Sequence, residues 1–356
     1  MYPPYPPYPP YPQGQPPQWQ PSAPRGPSPY QQGRKIALRR EGNFIGMGML
    51  FLLALNLSIF SILIMVLQLC GVIGQEELRM ADFGLGSVGY MVLYATAYIV
   101  MMGAPMPVAA LITRKPIQPF GPAKRVRPFT FIAGIFAGVA LCIVANVITS
   151  YLMAFLQALG IPQPVMPDLM DRTPLSLILN LVIFAVLPAL LEEMAFRGYL
   201  LQVLRPYGDR VAVLVSAILF ALMHGNVLQI PFAFLVGLVL GYTVVQTNNF
   251  WLAVCIHFAN NTMSTLIQYA QQFCENTNQE QILITGIFAV LGIVGFVLLI
   301  ILKVRNDPLT RSVAPSPDRT PTAGQVGTVL ASPAVLVAMI LFVLVTVMNT
   351  VGSMLV

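Results

Sequence analysis

FIGMGMLFLLALNLSIFSILIMVLQLCGV, Phe44 to Val72, runs without one Asp, Glu, Lys or Arg. About 20 such residues cross a bilayer as a helix, and this run is too long for the apolar part of a secretory signal. Further apolar segments follow at about 86–113, 129–157, 175–205, 210–225, 228–247, 250–271, 281–304 and 332–355. The chain is 56% hydrophobic and 9% charged, with a mean hydropathy of +0.74. Its apolar runs are continuous and rich in Leu, Val and Ile, which excludes the short alternating strands of a membrane β-barrel. They predict an all-α fold: a polytopic transmembrane helical bundle of about eight core helices plus one appended C-terminal helix, about nine crossings in all.

Charge follows the crossings. Arg34, Lys35, Arg39 and Arg40 precede the first segment, and Glu76, Glu77 and Asp82 follow it. Arg114, Lys115, Lys124, Arg125 and Arg127 come after the second, and Asp168 and Asp171 after the third. Basic loops alternating with acidic ones place the N-terminus in the cytoplasm and, with nine crossings, the C-terminus outside. The net charge of +6 is thus a topology signal, and no nucleic-acid partner is expected. With no lipidation or retention signal evident, a bacterial plasma membrane is the simplest address. Of the four cysteines, Cys142 and Cys255 read as core residues. Cys70 and Cys274 lie near expected outer ends, where a disulfide is the less favoured reading.

Four regions follow. Residues 1–43 form a Pro/Tyr-rich tail that begins MYPPYPPYPPYP, with Tyr2, Tyr5, Tyr8 and Tyr11 at a period of three. A polyproline II helix would align them in one stripe. The tail reads as a disordered cytoplasmic segment, and the sharper reading makes it a docking element for a partner with an aromatic groove. Residues 44–305 form the bundle, 306–331 a flexible Pro/Ser/Thr/Gly linker, and 332–356 the C-terminal transmembrane helix.

Within the bundle, LLEEMAFRGYL, Leu190 to Leu200, is out of place. A charge at a helix centre costs about 2.5–3.5 kcal/mol on insertion scales, so Glu192, Glu193 and Arg197 need partners or a function. Glu193 and Arg197 stand at i and i+4, acid first, the favoured order for an ion pair. Glu192 points about 100° away and lacks that partner. Pro188, one turn earlier, interrupts the helix ladder. A structural ion-pair lock and a catalytic site explain this stretch equally well.

Both histidines of the chain, His224 and His257, also lie in apolar segments. Phe220 and His224 share a face at i and i+4, as do His257 and Asn261. A lone core histidine is usually just hydrogen-bonded, but here no histidine lies in a loop, and that distribution favours a site. At about 1.5 Å rise per residue, all three motifs reach a similar depth, roughly 12–20 Å from the expected cytoplasmic ends of their segments at Pro206–Asp209 and Asn248–Asn249.

EExxxR, FxxxH and HxxxN on successive segments together resemble the CPBP family, also called Abi, of intramembrane endopeptidases, over a core of about residues 130–271. The resemblance implies Glu192 as general base for a water, His224 holding that water, and His257 with Asn261 stabilising the oxyanion. Glu193, Arg197 and Phe220 would support them. Glu192, His224 and His257 are also a donor set that catalytic zinc uses, so a divalent metal stays open as a cofactor. The absence of HExxH and the presence of Asn261 favour the glutamate scheme. The partners implied are the lipid bilayer and a membrane-bound peptide or protein substrate. Two other functions fit buried polar groups less closely: a transporter with a Glu/His relay, and a non-catalytic adaptor or immunity protein working through its tail.

Overall fold

The computed structural model describes residues 28–80, 82–114, 121–161, 172–313 and 321–355. The tyrosine stripe therefore lies outside the described residues. The first helix starts at a reciprocal cap. The Gln31 N–H donates to Ser28 Oγ at 3.3 Å, and the Ser28 N–H donates to Gln31 Oε1 at 3.0 Å. With Pro29 in the first position, α1 runs Pro29–Leu69. Residues 29–43, read from composition as tail, are thus helical. The cap nucleates the helix, and the apolar run that follows propagates it.

Next come α2 (Gly86–Gly103) and α3 (Pro105–Thr113), separated at Pro105, and α4 (Pro128–Ala158). The Glu-bearing segment is one continuous helical stretch of changing pitch. It comprises α5 (Pro174–Leu181), a π-helical turn at Val182–Val186, α6 (Leu187–Glu193), a second π-helical stretch at Met194–Leu200, and α7 (Leu201–Leu204). Pro188 has no N–H to give to the turn before it, and the first π turn sits just there. The motif helices follow as α8 (Asp209–Leu222), α9 (Gln229–Thr247) and α10 (Phe250–Gln271). Asn248 ends α9 in the left-handed conformation, and the Asn249 side chain caps α10 by accepting the Leu252 N–H. The chain closes with α11 (Thr277–Val304), α12 (Thr322–Leu330) and α13 (Pro333–Leu355).

Two boundaries expected from sequence change. The stretch read as linker contains α12, a Pro-free segment that buries Gln325 and Val329 and packs on α1 and α8. The last helix is packed along α1 rather than standing apart from it.

Nine apolar segments were expected, and all nine are helical. Seven stretches among the described residues are long and apolar enough to cross a membrane: Pro29–Leu69, Gly86–Thr113, Pro128–Ala158, Pro174–Tyr207, Gln229–Thr247, Thr277–Val304 and Pro333–Gly352. The two that fall short are α8 and α10; His257 lies in α10, but His224, expected within a helix, lies in the turn just after α8 ends at Leu222. At 14 residues α8 is too short and is buried on most sides, a core helix rather than a span. Along one side of α10, His257, Asn260, Asn261 and Thr265 lower its hydropathy. Phe196, Leu219, Phe220, Leu240 and Ile256 fill the interior between these elements. Outward faces of α11 and α13 expose Ile293, Val297, Ile300, Leu336, Ile340 and Val347. So extensive an apolar exterior suits lipid, not water. All four cysteines are free.

Candidate active site

The site assembles around the two adjacent glutamates, which the structure splits into different settings. Glu193 and Arg197 are fully buried and paired, with Nη1 donating to Oε1 at 2.7 Å. Arg197 also donates from Nη2 to the Gly237 carbonyl of α9 at 3.1 Å, and its guanidinium lies 4.4 Å over the Phe220 ring of α8. One arginine thereby ties the Glu-bearing stretch to both neighbouring helices. Glu192, turned away from the arginine, faces open space.

That space is a cavity of about 310 Å³. Glu192, His224, His257 and Asn261 all line it, so the structure brings together the four residues singled out from sequence. Phe220 forms part of its wall, with its ring edge-on to both histidines at centroid distances of 5.1 and 6.1 Å. Glu193 and Arg197 stand behind the wall.

The two histidines each have one nitrogen committed. His224 Nδ1 lies 2.8 Å from the Phe220 carbonyl oxygen. A carbonyl can only accept, so Nδ1 carries the hydrogen, and Nε2 of the neutral ring is an acceptor. His257 Nδ1 lies 3.0 Å from Glu193 Oε1, and its Nε2 lies 3.8 Å from Glu192 Oε2. Asn261 Oδ1 accepts from Asn260 Nδ2 at 3.2 Å, which orients the amide and keeps the Asn261 N–H groups available as donors.

Glu192, His224 and His257 are chemically suited to hold a metal. Among the described residues, however, no three His, Cys, Asp or Glu side chains converge as a ligand group.

Several cavity residues were not anticipated, Asn260 and Tyr98 among them. Asn260 lies three residues from His257, on the same helical face, and was overlooked beside Asn261. Tyr98 reaches the site from α2 and donates to Glu192 Oε1 at 2.5 Å. Tyr90, Tyr94 and Tyr98 do mark one face of an apolar helix, a tyrosine every fourth residue, but that spacing does not say what the face meets.

Residues 174–263, which contain all three motifs, match a family described as type II CAAX prenyl endopeptidase Rce1-like. Over this segment the chain is similar to the Rce1-like family. The match supports an intramembrane endopeptidase in general terms, and the seven apolar stretches support an integral membrane protein. No curated protein and no solved structure matches the chain. The Rce1-like segment covers α5 to most of α10. The remaining wall of the cavity, from α1 and α2, lies outside it.

Proposed function

We propose that this protein hydrolyses peptide bonds of membrane-associated peptides or proteins with a water activated by Glu192. The observation that carries the proposal is the position of Glu192. It is the acidic side chain lining a cavity that also holds both histidines and Asn261, and the arginine beside it is engaged by Glu193 instead. A structural ion-pair lock needs only one of the two glutamates.

In this scheme a water lies between Glu192 and the acceptor Nε2 of His224. The Glu192 carboxylate takes one of its protons as the water oxygen bonds to the substrate carbonyl carbon. The carbonyl π electrons move onto oxygen, and this oxyanion faces the Asn261 amide and His257 Nε2. Donation from Nε2 uses the doubly protonated ring, because Nδ1 already faces Glu193. With both glutamates ionised, that ring and Arg197 make the four groups neutral in sum. The proton held by Glu192 then passes to the amide nitrogen, the C–N bond breaks, and an amine and a carboxylic acid leave.

A lipidated C-terminus, as the family description suggests, and a small membrane-bound peptide precursor are the substrate classes this reading admits. The basic residues before and after the first two crossings support a cytoplasmic N-terminus, with a bacterial plasma membrane as address.

The test is cleavage of membrane-bound peptides by purified protein in proteoliposomes, wild type against Glu192→Gln. Loss of roughly 10²–10⁴-fold is expected for removing a general base. Equal cleavage by both proteins would move the activity elsewhere, and no cleavage by folded wild type would leave the pair of glutamates as a lock.

A further inference from the structure

Tyr98 belongs to α2, outside residues 174–263 that match the family and outside the core of about 130–271 expected from the motifs. Nothing in the motif set calls for it. Yet among the described residues it is the side chain within hydrogen-bonding distance of the Glu192 carboxylate, donating to Oε1 at 2.5 Å. A hydroxyl donating to an ionised carboxylate makes contacts of about 2.5–2.7 Å, among the stronger hydrogen bonds in proteins. The other oxygen, Oε2, lies on the side of His257, 3.8 Å from its Nε2. The two oxygens of this carboxylate therefore have different surroundings.

The phenol is itself held in place. Its ring stacks on Tyr94 at 6.5 Å, and Tyr94 packs at 5.8 Å on Phe184. Phe184 lies in the π-helical turn that precedes Glu192. A chain of three rings thus links α2 to the backbone that carries the glutamate, and α2 packs directly on α6. Tyrosine suits this task in a membrane helix, since it brings a neutral donor on a rigid apolar body. A lysine or arginine in its place would neutralise the base it serves.

We propose that Tyr98 is a positioning residue for Glu192: its hydroxyl occupies Oε1 and fixes the carboxylate plane, so that proton transfer to and from water runs through Oε2. This rests on the reading of Glu192 as the base. It makes α2 part of the working site, so the family-matched segment alone lacks one fixed contact of its own glutamate. It also divides the tyrosine face of α2, Tyr90, Tyr94 and Tyr98, into two. Tyr98 acts on the base, whereas Tyr90, two turns away, packs against Phe60 and Phe83 at 6.1 and 6.2 Å, away from that cavity.

The experiment measures kcat and KM separately for the full-length protein in proteoliposomes, using a cleaved reference peptide. Tyr98→Phe is expected to lower kcat about 10–100-fold, by analogy with losing a partner that orients a metal-bound ligand, with KM changed less than about twofold. Tyr90→Phe, which removes a hydroxyl from the same helix, should leave both unchanged. Tyr98→3-fluorotyrosine keeps the ring and hydroxyl but makes the phenol a stronger acid. A hydrogen-bonding role requires kcat to move with fluorination, and a packing role requires it to stay. An unchanged kcat in Tyr98→Phe, a loss confined to KM, or a kcat indifferent to fluorination would each overturn the proposal. The two readings fail separately. If Glu192→Gln still cleaves, the base assignment falls and takes this one with it. If Glu192→Gln is inactive and Tyr98→Phe is fully active, only the role of Tyr98 falls.

Discussion

His257 Nδ1 stands 3.0 Å from Glu193 Oε1, the same oxygen that Arg197 Nη1 holds at 2.7 Å. A single carboxylate oxygen thus serves as counter-ion to one helix and as orienter of the histidine on another. Glu193 is fully buried, and its second oxygen has no hydrogen-bond partner among the described residues. A lock and a site orienter coincide in one side chain, and substitution can separate them.

Glu193→Ala leaves the Arg197 guanidinium buried and uncompensated. The expected loss of stability is about 3–5 kcal/mol, the scale for breaking a buried pair from one side, read as a large drop in melting temperature in detergent. Glu193→Leu combined with Arg197→Met removes both charges and should recover most of that stability. It should not recover peptide cleavage, because His257 still lacks its acceptor. Full activity in the double variant would reduce the pair to a lock.

Asn261→Ala removes the amide whose oxygen is already held by Asn260 and whose N–H groups are available to an oxyanion. Losing one such donor costs roughly 10²–10³-fold in kcat, with KM nearly constant because the charge it meets develops only in the transition state. Asn260→Ala should have a smaller effect of the same kind, through the orientation of Asn261. An Asn261→Ala enzyme with normal kcat and raised KM would instead make this amide a contact to bound substrate.

The motifs were legible because their geometry is local. Glu193 with Arg197, Phe220 with His224, and His257 with Asn261 are each one helical turn apart, and the apolar segments around them set a common depth. The capping box at Ser28 and Gln31 went unread, because the boundary was set at Phe44, where the apolar run begins. Two features were out of reach for physical reasons. The π-helical turns beside Pro188 depart from the 3.6-residue period on which a helical reading depends. Tyr98 meets Glu192 across 94 positions of chain, and no periodicity within α2 says which neighbour its tyrosine face will find.

Chelation addresses the open cofactor question directly. Glu192, His224 and His257 do not converge as a ligand group as placed, so the glutamate scheme expects cleavage to survive dialysis against a strong chelator within about twofold, a margin well below the 10–100-fold scale of losing a metal-site contact. Loss of activity on chelation, restored by added zinc, would overturn that expectation and make the three residues ligands.

The last prediction concerns the C-terminal helix. Gly42 and Gly46 on α1 stand four apart, the spacing at which two helices approach closely in a membrane. A Cβ at Gly46 would collide with the Val335 amide nitrogen and the Ala334 carbonyl carbon of α13, and one at Gly42 with the Ser332 side chain. Backbone cannot move aside as a flexible side chain can, so Gly46→Leu should cost about 1–3 kcal/mol or more by overpacking. Thermal unfolding in detergent would show the loss. Gly33→Leu, with open space around that position, should melt at or above the wild-type temperature. The effect should also reach the site, since Asn349 of α13 donates to the Gly225 carbonyl at 3.0 Å, one residue beyond His224. Gly46→Leu is therefore expected to lower cleavage even below its melting temperature. A variant that melts early but cleaves normally while folded would confine α13 to a structural role.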